Sequence, residues 1–236
     1  MKQVLGILGG MGPAATCDLM EKIISLTEAA CDQEHIHIIS DVNTAIPDRT
    51  AAILHGGADP VPEMVGSAKR LEAAGADFII MPCNTAHYFY DTVASAVAVP
   101  VLHMPRLTAA VLKKAGVKKA GVLATDGTIQ SGVYARALEA EGIEPIYPQG
   151  AHQAMIMDLI YKGVKARKIP LESVPVEEIM EELRQKGAEK FLLACTELPI
   201  AFEALSIRQD CLDPTRVLAF SAVEYAGAET TAKDPW

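Results

Sequence analysis

Closely spaced cysteine pairs, long apolar runs and an excess of positive charge are all missing from this chain, and each absence narrows what it can be. No C-x-x-C pair occurs among the five cysteines, at 17, 31, 83, 195 and 211, which excludes a thioredoxin-like redox motif or a zinc ribbon. Five cysteines among 236 residues are also too sparse for a disulfide framework, so reduced thiols are expected. His35 and His37 alternate on a strand-like stretch without companion ligands, and no metal site is expected there. No apolar run is long enough to cross a bilayer, and Met1-Lys2 leads straight into strand-like Val4-Leu5-Gly6-Ile7-Leu8 without a signal-peptide core. A cytoplasmic location with no membrane partner is the expectation. Lys and Arg number 21 against 30 Asp and Glu, a net charge of −9, which argues against a nucleic-acid surface. A nucleotide fingerprint is missing too: Gly9-Gly10-Met11-Gly12-Pro13 lacks the G-x-G-x-x-G spacing, and no Walker lysine follows it.

What is present is one passage written twice. LEAAGADFIIMPCNT, from Leu71 to Thr85, aligns without a gap on LRQKGAEKFLLACTE, from Leu183 to Glu197, at an offset of 112 residues. Each copy reads as a helix end, a Gly-Ala turn, a buried strand and a thiol at the strand's C-terminal tip, where open α/β sheets place their chemistry. The echo extends to Gly6–Gly12 against Gly121–Gly127, and a proline, Pro105 or Pro214, opens a helix after each half. Strands are expected near 3–8, 36–41, 78–82, 99–103, 119–124, 143–147 and 190–194. Helices are expected near 14–30, 61–74, 88–97, 106–115, 130–141, 152–166, 176–186 and 215–228. Alternation of this kind predicts an α/β fold of two pseudo-symmetric lobes, each a parallel-type sheet flanked by helices, with the active site in the cleft between them. The lobes divide as 1–104 plus 212–236, with the last helix returning to the first lobe, and 105–211.

A single strand-end cysteine is usually a small buried hydrophobe, but Cys83 and Cys195 occupy equivalent positions of the repeat. Asn84-Thr85-Ala86 and Thr196-Glu197-Leu198 follow them and can present free backbone N–H groups that favour a thiolate. Cys17, Cys31 and Cys211 lack this setting and are read as structural. The turn containing Met11 is either a tight strand-to-helix connection or a floor of backbone amides beneath a small carboxylate. Arg49, in the loop after the second strand, is either a surface residue paired with Asp48 or a two-pronged clamp for a carboxylate. Lys165 is either part of a solvated basic helix end or a second cation, and the sequence does not separate it from Lys162, Arg167 or Lys168. Thr125, Thr128 and Ser131 can donate hydroxyl contacts or cap a helix. His87 lies four residues after Cys83, so a Cys–His nucleophilic pair is considered; the second copy has Pro199 at the matching position, which weakens it.

Two thiols on opposite walls of one cleft suit a reaction in which a proton leaves one face of a carbon and arrives on the other. A pyridoxal-dependent alternative needs a lysine Schiff base and a phosphate site, and neither is legible. MPCNTAH around Cys83, LACTELP around Cys195 and the early GGMGP resemble the aspartate/glutamate racemase superfamily over nearly the whole chain, and its aspartate racemase branch in particular. The resemblance implies two-base catalysis by Cys83 and Cys195 without a cofactor or metal, a small acidic amino acid as substrate, and a homodimer. It implies contacts to the substrate carboxylate from Asn84, Thr85, Thr196 and Glu197 or their backbone, with Arg49 in PDRT and Lys165 in YKGVK on the side-chain carboxylate. Relatives with the same fold leave open a maleate isomerase or hydantoin racemase, and a non-catalytic acidic amino-acid binding protein is the reading from another class.

Overall fold

The computed structural model describes residues 2–207 and 209–236. In its first half, β1 (Leu5–Gly9), α1 (Pro13–Leu26), β2 (Ile38–Val42), α2 (Arg49–His55), α3 (Val61–Ala73), β3 (Phe78–Ile80) and α4 (Tyr90–Ala94) follow in order. A bridging helix, α5 (Met104–Lys114), comes next. The second half runs through β4 (Lys119–Ala124), α6 (Asp126–Ser131), α7 (Val133–Ala140), β5 (Glu144–Ile146), α8 (Gly150–Asp158), α9 (Val176–Gln185), β6 (Lys190–Ala194), α10 (Leu198–Ala204), β7 (Cys211–Leu212) and α11 (Pro214–Tyr225). Among the described residues the seven strands pair in parallel, in two sheets ordered β2-β1-β3 and β5-β4-β6-β7. The strand carrying the first glycine turn lies between its two partners in one sheet, and β4 holds the same place between β5 and β6, so the duplication seen in the sequence is a duplication of topology.

Both faces of each sheet are covered, which is why the strands read as unbroken apolar runs. In the first lobe Leu5, Ile7, Phe78 and Ile80 face α1 and α11, while Leu8, Ile79 and Met81 face α3. In the second, Leu123, Phe191 and Leu193 face α8, α9 and α10, and Ala120, Val122, Ala124 and Leu192 face α5 and α7. The period of two along each strand sends neighbours to opposite layers. Helix α9 shows the matching helical period, burying Val176, Ile179, Met180 and Leu183 on one stripe. Helix α11 packs on α1 and α5, with Leu218, Ala222 and Val223 in the first lobe's core and Val217 in the second's.

Several elements depart from their expected form, each for a local reason. The strand expected near 99–103 is a single bridge, Val101 to Ile79, because Pro100 and Pro105 flank it. The helix expected near 88–97 is a 3₁₀ turn, Thr85–Phe89, followed by the short α4. The one near 130–141 is broken between α6 and α7 at Gly132, whose φ of 67° no continuous helix admits. The one near 152–166 changes from α8 to a π-helical turn over Leu159–Lys165, a feature that recurs at functional sites. Arg49, expected in a loop, opens α2 behind an Asp48 cap whose side chain accepts from the Ala51 N–H at 2.7 Å.

Candidate active site

The C-terminal ends of β1, β3, β4 and β6 converge on one narrow cavity between the lobes. Ten residues singled out from the sequence line it, Met11, Arg49, Cys83, Asn84, Thr85, Thr125, Lys165, Cys195, Thr196 and Glu197, whereas the candidates Thr128, Ser131 and His87 do not. Asp48, Thr50 and Tyr161 line it as well and were not foreseen. Their only sequence signal is adjacency, since Asp48 and Thr50 flank Arg49 and Tyr161 lies one turn before Lys165. Cys17 and Cys31 are exposed, Cys211 is half-buried, and none of the three reaches the cavity.

Hydroxyls bridge the seam between the lobes at the cavity. Thr85 Oγ1 lies 3.1 Å from Thr125 Oγ1 and 2.7 Å from Thr128 Oγ1, and the latter two are 3.0 Å apart. Thr125 also caps α6, accepting from the Thr128 N–H, so both sequence-level readings of this residue apply. The lobes meet closely beside this triangle: a Cβ on Gly127 would stand 2.6 Å from Thr50 Oγ1 and 2.9 Å from Thr50 Cα. Ser131 donates to its own helix at Thr128 O and takes no part in the seam.

The two cysteines, 6% and 7% exposed, have opposite electrostatic settings. Arg49 lies against Cys83, and although burial opposes the guanidinium charge, Cys83 and then Asp48 more than offset it. Cys195 donates from Sγ to Glu197 Oε2 at 3.0 Å; burial first, and the adjacent carboxylate second, push this thiol well above its ordinary value. The expectation that backbone N–H groups hold both thiols down therefore fails at Cys195. One N–H from Glu197 favours the thiolate, but burial and a full negative charge outweigh it.

Glu197 is itself occupied. It accepts from Cys195 and, at 3.3 Å, from Thr196 Oγ1, and its Oε1 is 3.7 Å from Lys165 Nζ. Lys165 stands 4.9 Å over the Tyr161 ring with 29% of its side chain exposed, and Glu197 is the leading partner that keeps it charged against burial. Lys162 turns away to Asp158, which separates the two lysines. Arg49 is not the free two-pronged clamp considered from the sequence, nor is it a surface residue paired with Asp48. Its Nη1 donates to Ile46 O and Pro47 O and its Nη2 to Met11 O, at 3.3, 2.9 and 3.0 Å, which braces the Met11 turn. Two buried side-chain atoms in the wall have no partner, Arg49 Nε and Asn84 Nδ2, and both are hydrogen-bond donors. A cavity whose unmet capacity is donor N–H is built for an anion such as a carboxylate.

The Cys–His pair is excluded by geometry. His87 Nε2 accepts from the Met104 N–H at 3.1 Å, so Nδ1 carries the proton and donates to Cys83 O at 2.9 Å. Both ring nitrogens are spent on backbone, and burial lowers the imidazole pKa to about 3. His87 is a staple between the Cys83 loop and the start of α5, and has no nitrogen free to act on the thiol. No group of three or more His, Cys, Asp or Glu among the described residues is arranged to hold a metal ion, and no helix among them is long and apolar enough to cross a membrane.

Residues 8–222 match the family model described as Asp/Glu/Hydantoin racemase. The broad specificity amino-acid racemase RacX of Bacillus subtilis is 31% identical over 226 residues, covering 93% of this chain and 96% of that protein. A solved aspartate racemase from Picrophilus torridus superposes with a TM-score of 0.85 at 33% identity, covering 97% of this chain and 96% of its own. The glutamate racemase of Francisella tularensis, solved with D-glutamate, shares the fold with a TM-score of 0.68 at 20% identity, covering 99% of this chain and 86% of its own.

Proposed function

Since the chain belongs to the Asp/Glu/hydantoin racemase family and is an amino-acid racemase, we propose that it interconverts the enantiomers of an acidic amino acid, aspartate before glutamate, with Cys83 and Cys195 as its two bases. The observation that carries this reading is the pair of buried cysteines at equivalent strand ends, lining one cavity whose unpaired polar atoms are donors. Cys83 as thiolate, with the Arg49 guanidinium beside it, takes the α-proton from one face; the electron pair left on carbon delocalises into the α-carboxylate. Cys195 as thiol then delivers its proton to the opposite face, leaving Cys83 protonated and Cys195 ionised, and the reverse reaction restores the pair. Arg49 Nε and Asn84 Nδ2 are the donors for carboxylate oxygens in this scheme. Glu197, already serving Cys195, Thr196 and Lys165, suits the substrate ammonium and not a carboxylate. Lys165, at the exposed side of the cavity, is the cation assigned to the side-chain carboxylate.

A broader substrate range is the second reading, favoured by the similarity to RacX. Incubation of each enantiomer of aspartate, glutamate, alanine and lysine in deuterated water separates the two. Inversion with α-deuterium confined to aspartate and glutamate supports the acidic reading; equal turnover of alanine and lysine refutes it. Cys83→Ala and Cys195→Ala are each expected to lower racemisation by about 10²–10⁴-fold. Unimpaired inversion in either variant would end the two-base scheme.

A further inference from the structure

Tyr134 reaches the site from behind its wall. It sits on α7, fully buried in the second lobe's core, and its hydroxyl donates to Asn84 Oδ1 at 2.5 Å across the lobe boundary. Asn84 directly follows Cys83, is 2% exposed, and lines the cavity. An amide side chain has an acceptor end and a donor end, so a partner that fixes one end fixes the other. With Oδ1 receiving the only proton Tyr134 can give, the donor end, Nδ2, is left buried without any partner in the protein. Burial also pushes the Tyr134 hydroxyl well up, which keeps it a donor. Its ring packs with Ala109, Leu112, Val133 and Leu138, and that apolar cluster holds it from rotating away.

We infer that Tyr134 is a positioning residue: by donating to Oδ1 it holds the Asn84 amide with its N–H donors presented to the cavity, so that this position reads a substrate carboxylate oxygen and disfavours an ammonium. The inference rests on the racemase reading. It adds that an aromatic residue of the second lobe, in no contact with the cavity, sets the polarity of a recognition point on the first. Phenylalanine fills the same space but releases the amide, which is then free to turn its oxygen inward.

The test is a cycle of Tyr134→Phe, Asn84→Ala and the double variant, with Asn84→Asp alongside. It is read as kcat/KM on whichever amino acid the wild type racemises fastest and as calorimetric Kd for succinate, a dicarboxylate without an α-ammonium. Tyr134→Phe is expected to lower kcat/KM and weaken succinate about tenfold, the scale of one charge-assisted hydrogen bond. In the Asn84→Ala background the same change is expected to do nothing further, because Tyr134 acts only through the amide. Asn84→Asp keeps an acceptor for Tyr134 but puts an anionic oxygen where the donor was, so succinate binding falls below that of Asn84→Ala. Wild-type kcat/KM in Tyr134→Phe, an equal loss in both backgrounds, or tighter succinate binding in Asn84→Asp than in Asn84→Ala overturns the inference. Asn84→Ala leaves the Tyr134 core untouched, so it decides the amide's orientation even if Tyr134→Phe does not fold: weaker succinate binding than wild type supports the inward donor, and unchanged or tighter binding overturns the inference. A wild type that racemises neither aspartate nor glutamate would instead overturn the substrate assignment and leave the cycle readable on the substrate it does use.

Discussion

Replacing Glu197 by glutamine removes the negative charge beside Cys195, and with it the counter-charge of Lys165 and the charge assigned to the substrate ammonium, so overall activity falls and the pH profile is what isolates the effect on the thiol. The carboxylate is 5% exposed, and glutamine keeps its volume and an acceptor for the thiol. In the wild type, ionising Cys195 places a thiolate 3.0 Å from a carboxylate oxygen, a like-charge repulsion on the order of a few kcal/mol at an effective dielectric of ~20. Lys165 lies beside both groups and offsets part of this, so the Cys195 pKa is expected to fall in the variant while burial still holds it up. The sign on activity follows from the thiol's role. The competent enzyme carries one thiolate and one thiol, so the alkaline limb of kcat/KM marks loss of the second proton, and that proton belongs chiefly to Cys195. Glu197→Gln therefore moves the alkaline limb to lower pH and leaves the acid limb in place. Because the enantiomers have equal free energies, kcat/KM must match in the two directions at every pH, and the limb must move equally for both. Initial rates from each enantiomer across the alkaline range give the limb, and the substrate ammonium titrates identically in both proteins, so the difference between them is the reading. An alkaline limb that stays fixed or moves upward refutes the assignment of Glu197 as the group holding Cys195 protonated.

Two further substitutions test other parts of the site. Lys165→Met keeps the side-chain stem over Tyr161 and removes the charge, and is expected to lower kcat/KM for aspartate by about 10–100-fold more than any alanine turnover, which shares only the loss of the charge beside Cys195; equal losses on both substrates would remove Lys165 from side-chain recognition. His87→Ala leaves the Met104 N–H and Cys83 carbonyl without partners, and is expected to lower stability at pH 8 by about 1–3 kcal/mol. The imidazole is held neutral down to about pH 3 in the fold but takes a proton near 6.5 when unfolded, so its support is complete above pH 6.5 and is lost as pH falls toward 3. Urea unfolding across that range should fall less steeply in His87→Ala than in the wild type, and parallel curves would contradict the burial argument.

The repeated passage ending in Cys83 and Cys195 by itself determines most of the architecture. A buried strand needs a run of apolar residues, and a duplicated run predicts a duplicated sheet. Glycine at 75, 116, 142 and 187 marked helix ends because each adopts a positive φ that other residues resist. The ten residues proposed for the site came from strand ends and from motif resemblance, and all of them line one cavity. What the chain's order does not carry is orientation. Whether Arg49 grips a ligand or braces the Met11 turn depends on which carbonyls surround its guanidinium, and those come from residues up to 38 positions away. His87 looked like a partner for Cys83 by spacing alone, and only the Met104 N–H, brought in by the start of α5, takes the nitrogen that would have served the thiol. Tyr134 bears no motif, since its meaning lies in a contact 50 residues distant along the chain. Periodicity and repeats record which face of an element is buried, and that much is local. Charge balance, the facing of an amide and the inequality of two equivalent cysteines arise from groups that meet only when the lobes close, so tertiary structure alone decided them.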